Sequence, residues 1–575
     1  MRLLKLHRVK IRSCFIVIML GMLILIGRLS YLSMFDSKEL SIAAKALHER
    51  ERAIKASRGR IITCDGTVIA DNKAVCTVSV IHSQITDKEK VIEVLSTELS
   101  MDEAKVRKYV EKVSSMETVK TNVPKEIGDA IRKYDLDGVK VDEDSKRVYP
   151  YHNLASKVIG FTGGDNQGIV GLEVEYEDVL KGINGQILTM TDAAGKELSE
   201  PEIRVEPIAG NDLYLTLDYN IQSFCMQAAM KAYEAKSAKS VSIIVMNPQD
   251  GSIYAMVNYP EYNLNEPFVL DVDTTGMTDD KRMDLLNKKW RNGIINDTYE
   301  PGSTFKIITT AAGLSTGAIS PSDSYYCRGS ITVGGRNIRC HKTTGHGSQS
   351  LAETLHNSCN PAFITWGSRI GVENFLSSMR TLGLMSTTGV DLPGEAGTIM
   401  HAEENIHELE LATISFGQSF QITPLQLLRA VSCVINGGTL ITPHFGDYYI
   451  DNDGIVQKFT YDTKEEVLTP EVCNTIKEFL EGVVEYGGGS GCKIEGYSIG
   501  GKTATSEKLP RGNGKYIASF IGFAPVDDPQ VIAMCIVDEP VGMYYGGLVA
   551  TPVVKEIFEN IFPYLGIEQE NTAMR

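Results

Sequence analysis

At 575 residues, 43% of them hydrophobic and 23% charged, the chain has the composition of a globular protein with several domains' worth of folded structure. Its net charge of −16 argues against a nucleic acid as partner. The acidity is uneven: Arg2, Lys5, Arg8, Lys10 and Arg12 stand before residue 14 with no acid among them, so the remainder carries −21.

From Cys14 to Gly27 the chain is uncharged, and beyond Arg28 the apolar run continues to Phe35. Residues 14–35 are enough to span a bilayer if Arg28 reaches toward the interface. The basic flank predicts that residues 1–13 stay in the cytoplasm. No small-x-small cleavage site follows, which predicts a retained single-pass anchor with the rest of the chain outside.

Residues 36–56, rich in Ala, Leu, Glu and Lys, predict a helix leaving the membrane. Asp65-Gly66 between two apolar runs predicts a hairpin. Residues 87–135 predict charged amphipathic helices, with Val91, Ile92, Val94 and Leu95 on one face and Val106, Val110 and Val113 on another. Nothing up to residue 210 has the chemistry of a site, so residues 36–210 read as a spacer or pedestal domain.

From Asn211 the texture changes. Leu213–Asp218 alternates like a strand, 219–236 reads as a helix, and 241–246 and 252–257 predict two strands about an Asn-Pro-Gln-Asp-Gly turn. Three more strands are predicted near the end, over 497–505, 516–523 and 531–537. Strands at both ends with helices between predict an α+β domain, one antiparallel sheet closed by both termini of the domain.

Three polar clusters lie in this domain. In Pro301-Gly302-Ser303-Thr304-Phe305-Lys306, a turn delivers Ser303 into the start of a helix, with Lys306 on the same face. A serine hydroxyl needs a neighbouring base, and a lysine serves when burial or a nearby cation keeps it neutral. Ser358-Cys359-Asn360 falls at a junction of two helical runs, where a hydroxyl and an amide can relay a proton and hold a substrate amide. Lys502-Thr503-Ala504-Thr505 offers a cation for a carboxylate and a strand edge for an extended peptide. Singly, each has a plain structural explanation, a cap or an exposed edge. Jointly they describe acyl transfer through a serine ester.

With these clusters the chain resembles the class B penicillin-binding proteins, membrane-anchored monofunctional D,D-transpeptidases of bacterial cell-wall synthesis. The likeness also takes in Arg58-Gly59-x-Ile61, Arg147-x-Tyr149-Pro150 and Gly168-x-x-Gly171-Leu172-Glu173. Further on it includes Tyr299-Glu300-Pro301-Gly302-Ser303, Phe416-Gly417-Gln418 and Ser519–Pro525. It implies a pedestal at 36–210, a transpeptidase domain at 211–566 with a five-stranded antiparallel sheet, and a tail at 567–575. It implies that Ser303 attacks the D-Ala-D-Ala carbonyl of a stem peptide, or a β-lactam, with Lys306 taking its proton. Ser358 would protonate the leaving D-Ala, Asn360 bind the peptide amide, and Lys502 and Thr503 hold the terminal carboxylate. The N–H groups of Ser303 and Thr505 would form the oxyanion hole. A membrane glycan polymerase would be the partner, in division, elongation or sporulation. A β-lactamase or β-lactam sensor shares the three clusters, and a non-catalytic scaffold is the alternative from another class. One departure stands out: the family has glycine where this chain has Ala504, whose methyl is expected to narrow the cleft or tilt bulky β-lactams, altering inhibitor preference more than abolishing activity.

Cys327, Cys340, His346 and Cys359 fall within 33 residues just after the Ser303 helix. Three thiolates and an imidazole are a tetrahedral zinc set, with His341 as a fallback ligand. A disulfide is the competing reading for an extracytoplasmic protein. Resemblance to zinc-containing elongation- and sporulation-type members implies structural zinc.

Overall fold

The computed structural model describes residues 2–34, 49–190 and 203–569. The first element, α1 (Arg2–Met34), carries the apolar segment Val9–Met34, long enough to cross a membrane. Its apolar side chains are exposed along the helix, as expected of a segment whose surroundings are lipid. This is consistent with a single-pass anchor; residue 35, the last of the predicted span, lies outside the described residues.

The rest forms two compact units. The first comprises residues 1–57, 73–146 and 182–209; the second comprises 58–72, 147–181 and 210–575. The first unit corrects two expectations. Glu49–Ile54 is a strand, paired antiparallel with Gly185–Met190, and not the end of a helix; residues 35–48 lie outside the described residues. Between the helices Lys88–Glu98, Glu103–Glu111 and Lys125–Lys133 a strand intervenes at Glu117–Pro124. The helices bury Val91, Ile92, Leu95, Val106 and Val110 as the periodicity requires, whereas Val113 is exposed.

The second unit takes in the segments around Arg58, Arg147 and Glu173. Glu173, fully buried, accepts from Arg58 Nε, from Arg147 Nε at 2.7 Å and from the Tyr149 hydroxyl at 3.1 Å. Arg58 also pairs with Glu177 at 2.7 Å. Gly59 is confined by backbone: a Cβ there would stand 1.8 Å from the Asn211 carbonyl oxygen. The expected hairpin about Asp65-Gly66 is present, with Ile62 opposite Val68.

The core of this unit is built on one sheet. Asp218 caps α2 (Tyr219–Lys236) by accepting from the N–H groups of Asn220 and Ile221. Strands β1 (Ser240–Met246) and β2 (Ile253–Tyr259) follow, and β3 (Gly500–Glu507), β4 (Tyr516–Ala524) and β5 (Val531–Asp538) come from the far end of the domain. Their order is β2-β1-β5-β4-β3, antiparallel throughout, so β3 is an edge. Alternate residues of β1 serve opposite faces. Val241, Ile243 and Val245 pack with Ile221 and Cys225 of α2 and with Val554, Ile557 and Phe558 of the last helix, Thr551–Leu565. Ile244 and Met246 pack on the other face with the helices that follow Ser303. Both faces are covered, so the strands read as nearly continuous apolar runs. The chain remains packed through Ile567.

Candidate active site and metal centre

Ser303 lies in a single 3₁₀ turn, Gly302–Phe305, that leads into α3 (Lys306–Ser315). The turn is fixed by its neighbours. Tyr299 and Ile422 exchange backbone hydrogen bonds at 3.0 and 3.1 Å, and Gly302 N–H donates to the Gly417 carbonyl at 2.8 Å. Gly302 has φ +58°, and a Cβ on it would stand 2.3 Å from Ser506 Oγ. Gly417 has φ +86°, and its Cβ would stand 2.1 Å from the Gly302 oxygen. Both positions therefore require glycine.

Lys306 is wholly buried. Its Nζ reaches the Ser358 carbonyl at 2.8 Å, Ser358 Oγ at 3.0 Å and Asn360 Oδ1 at 2.6 Å, and it lies 5.3 Å from the centre of the Phe363 ring. Burial, and then the charge of Lys502, hold its pKa well below the ordinary lysine value. That direction favours the neutral amine, the form a base requires.

The second cluster is set by the ends of two helices. The first, α4 (Leu351–His356), starts with a capping box of Ser350 and Glu353. It closes with Ser358 N–H donating to Leu355 and Cys359 N–H to Thr354, a Schellman arrangement. The left-handed residue of that arrangement is ordinarily glycine; here it is Ser358, at φ +47°. Serine in that conformation carries a backbone cost that glycine would not. Asn360 then opens α5 (Asn360–Ile370), with Pro361 next to it.

The third cluster is on the edge strand β3. Lys502, Ala504 and Ser506 are buried, toward the Ser303 turn, while Thr503 and Thr505 are half-buried on the alternate face. Lys502 Nζ donates to the Thr503 carbonyl at 3.1 Å, and burial pushes its pKa down to about 7. Thr505 Oγ1 accepts from Gly546 N–H at 3.0 Å. The Ala504 methyl is 3% exposed and lies against Gly302. The methyl is therefore packed beside the nucleophile turn. The structure thus joins Lys306, Ser358 and Asn360 by hydrogen bonds and sets Lys502 close enough to act on Lys306. Glu300, Gly417 and Arg511, which frame the same turn, had no separate chemical signal in the sequence; Glu300 and Gly417 stood only within motifs shared with the family.

Cys327, Cys340, His346 and Cys359 converge, their ligand atoms all within 4.8 Å of one another and the three thiols buried. Thiolates about a tetrahedral zinc stand about 3.8 Å apart, so the cluster needs only slight contraction to hold one. No disulfide joins them. Hydrogen bonding between Cys340 and Cys359 pulls the Cys340 thiol down and pushes the Cys359 thiol up. Burial lowers His346, favouring the neutral ring that ligates metals. His341 is exposed, with Nδ1 3.9 Å from the Cys340 sulfur, at the margin of the set. The cluster is one that could hold a metal ion.

Comparison with known proteins agrees with this geometry. Residues 241–559 match the penicillin binding protein transpeptidase domain, and residues 53–215 the penicillin-binding protein dimerisation domain. The chain is 37% identical to stage V sporulation protein D of Bacillus subtilis, over 95% of this chain and 84% of that protein. It is 27% identical to the probable peptidoglycan D,D-transpeptidase PenA of Neisseria meningitidis serogroup B, over 90% and 86%. Penicillin binding protein 2X of Streptococcus thermophilus superposes with a TM-score of 0.72 at 20% identity, covering 91% of this chain and 83% of that one. A peptidoglycan synthetase from Bifidobacterium adolescentis gives 0.74 at 20%, covering 91% and 98%. The chain belongs to the class B penicillin-binding proteins, peptidoglycan D,D-transpeptidases in which a dimerisation domain precedes the transpeptidase domain.

Proposed function

We propose that Ser303 is the residue acylated in this transpeptidase and that Lys306 is its base. The observation that carries the reading is the buried Lys306 amine, held by Ser358 and Asn360 one helical turn from Ser303. Neutral Lys306 takes the Ser303 proton as Oγ attacks the penultimate D-Ala carbonyl of a stem peptide. The N–H groups of Ser303 and Thr505 meet the developing oxyanion. The C–N bond breaks, and Ser358, in contact with Lys306, returns the proton to the departing D-Ala. Asn360 holds the peptide amide, while Lys502 and Thr503 hold the terminal carboxylate. An amine of a neighbouring stem then attacks the ester and releases Ser303 as the cross-link forms. A β-lactam enters the same first step, but its opened ring stays attached.

The metal we propose for the cysteine cluster is zinc, held by Cys327, Cys340, His346 and Cys359. It would supply structure and no step of the reaction, fixing Cys359 and hence its neighbours Ser358 and Asn360. The apolar helix and its basic flank support an anchor in the cytoplasmic membrane, with residues 1–13 inside and the transpeptidase domain outside. The substrate side of the membrane is where a glycan polymerase partner would work. The higher identity to a sporulation protein than to PenA supports service in spore-wall synthesis.

The test is time-resolved labelling of the soluble part with a fluorescent penicillin, beside Ser303→Ala. A stable adduct, lost only in the variant, is the expected result. An adduct that clears within minutes means a β-lactamase, and absence of any adduct with penicillin and with a peptide substrate means a scaffold.

A further inference from the structure

We propose that the ion pair of Glu300 and Arg511 is a clasp that fixes strand β3 against the Ser303 turn and so sets the nucleophile against the oxyanion donor on Thr505. This rests on the roles of Ser303 and Thr505 given above.

Glu300 stands three residues before Ser303 and is 7% exposed. Its Oε1 accepts from Ser419 N–H at 2.9 Å and from Arg511 Nη2 at 3.0 Å, and its Oε2 accepts from the same Nη2 at 2.7 Å. Arg511 belongs to the turn between β3 and β4. That turn is braced at its base, since Arg511 Nη1 donates to the Glu507 carbonyl at 3.2 Å and Gly512 N–H to Glu507 Oε1 at 2.6 Å. One carboxylate therefore ties three segments: the nucleophile turn, the 417–420 loop and the β3–β4 turn.

The placement matters because of where else β3 touches the nucleophile turn. Gly302 abuts Ser506 so closely that no side chain fits between. β3 is held on one side by its ladder with β4, from Gly500 to Glu507, and the contact at Gly302 ties it to the nucleophile turn on the other. The β3–β4 turn lies beyond that ladder, and the Glu300–Arg511 pair, five residues past Ser506, ties it to the nucleophile turn as well. Beside the pair opens a cleft of about 360 Å³, lined by Met400, Phe420 and Leu509 among others, so on that side no packed side chain substitutes for the ion pair. With the pair broken, the turn has room to move, and sub-ångström misplacement is costly to acyl transfer. A buried carboxylate is itself unfavourable unless paired, which makes its use as a mere surface tether uneconomical.

Acylation by penicillin, resolved into a dissociation constant for the initial complex and a first-order acylation constant, tests the clasp in the full-length protein. The variants are Arg511→Met, Glu300→Gln, their combination, and Arg511→Lys; thermal unfolding is measured on each. Each single neutralisation is expected to lower the acylation constant about tenfold while the dissociation constant moves less than about twofold. The double variant is expected to be no slower than the slower single one, because the two residues act as one unit. Arg511→Lys is expected to recover most of the rate, having kept the cation. The double variant leaves no uncompensated buried charge, so it tests the clasp even where a single variant folds poorly. Unchanged acylation constants, losses that add in the double variant, or losses that merely follow the unfolding temperature each overturn the clasp. A parent protein not acylated on Ser303 overturns instead the reading beneath it.

Discussion

Ala504 Cβ lies 3.5 Å from the point a Cβ would occupy on Gly302. The residue that departs from the family pattern thus stands beside the residue that presents the nucleophile. Because Gly302 has no Cβ, that spacing accommodates the Ala504 methyl without strain. Ala504→Gly is expected to keep penicillin acylation within about threefold of the parent, as a buried methyl deletion should. Ala504→Val, which adds bulk against Gly302 with nowhere to go, is expected to slow it about tenfold or more. Gly302→Ala is expected to abolish it, since a left-handed backbone and a 2.3 Å approach to Ser506 Oγ both oppose the new methyl. Acylation time courses on the three variants decide this. An Ala504→Val protein as fast as the parent would mean that the methyl does not bear on the turn.

The two buried lysines predict a bell-shaped pH dependence. Lys306 must be neutral to accept the serine proton, and its pKa is lowered by burial and then by Lys502. Lys502 must be cationic to hold a carboxylate, yet burial brings it down to about 7. Acylation in the free enzyme should therefore rise with pH as Lys306 loses its proton and fall as Lys502 loses its own. The two limbs belong to the interacting pair. Lys502→Arg keeps a cation at every accessible pH, so it should remove the falling limb and retain the rising one. A falling limb that survives the substitution would assign it elsewhere. The same shifts act on stability. Between about 7 and the ordinary lysine value of 10.5, the unfolded chain holds a proton at Lys502 that the folded one has released. Stability is therefore expected to increase with pH across that window, as a plot of denaturation midpoint against pH would show.

What was legible in the sequence was local. Asp218 and the run that follows announce a helix at 219–236 because cap and apolar periodicity agree, and the helix is Tyr219–Lys236. Strands buried on both faces announce themselves as apolar runs, so the five-stranded sheet was readable. The strand Glu117–Pro124 was not, and its burial pattern explains why. Its buried residues, Val119 and Val123, are four apart, which is a helical spacing, and the strand carries bulges and a left-handed Asn122. Glu49–Ile54 is charged and takes its extended form from pairing with Gly185–Met190, about 140 residues away, a relation that no local pattern encodes. In the site, Ser303, Lys306, Ser358 and Asn360 were readable as motifs. Arg511 was not: it sits among Leu509, Pro510, Gly512 and Asn513, which signal only a turn.

The cysteine cluster predicts a link between metal content and acylation. If zinc holds Cys359, it also holds the backbone of Ser358 and Asn360 on either side, and Lys306 donates three hydrogen bonds to those two residues. Purified protein is expected to contain one zinc per chain by elemental analysis. Cys340→Ala, or prolonged chelation, is expected to lower the unfolding temperature and to slow acylation about tenfold while Ser303 remains the labelled residue. His341→Ala is expected to leave both unchanged, because His341 is outside the converging set. Metal-free protein that acylates at the parent rate would remove zinc from the account.

Glu173 gives the sharpest prediction on folding alone. It is fully buried between Arg58 and Arg147, which are themselves 1% and 6% exposed, and it also accepts from Tyr149. Its charge is what allows two guanidinium groups to leave water. Arg58 retains a second partner in Glu177, but among the described residues the Arg147 side chain otherwise donates only to the Gly59 carbonyl, at 2.7 Å. Glu173→Gln keeps shape and one acceptor while removing the charge, and it should destabilise the second unit by about 3–5 kcal/mol, the usual result of breaking a buried pair from one side. Arg147→Met in the same background removes a cation left without a counter-charge, and should recover part of that loss, so the two substitutions together cost less than their sum. Urea unfolding of the four proteins gives the coupling directly. Additive losses would show that Glu173 and Arg147 act independently, and that the cluster is held by packing and not by its charges.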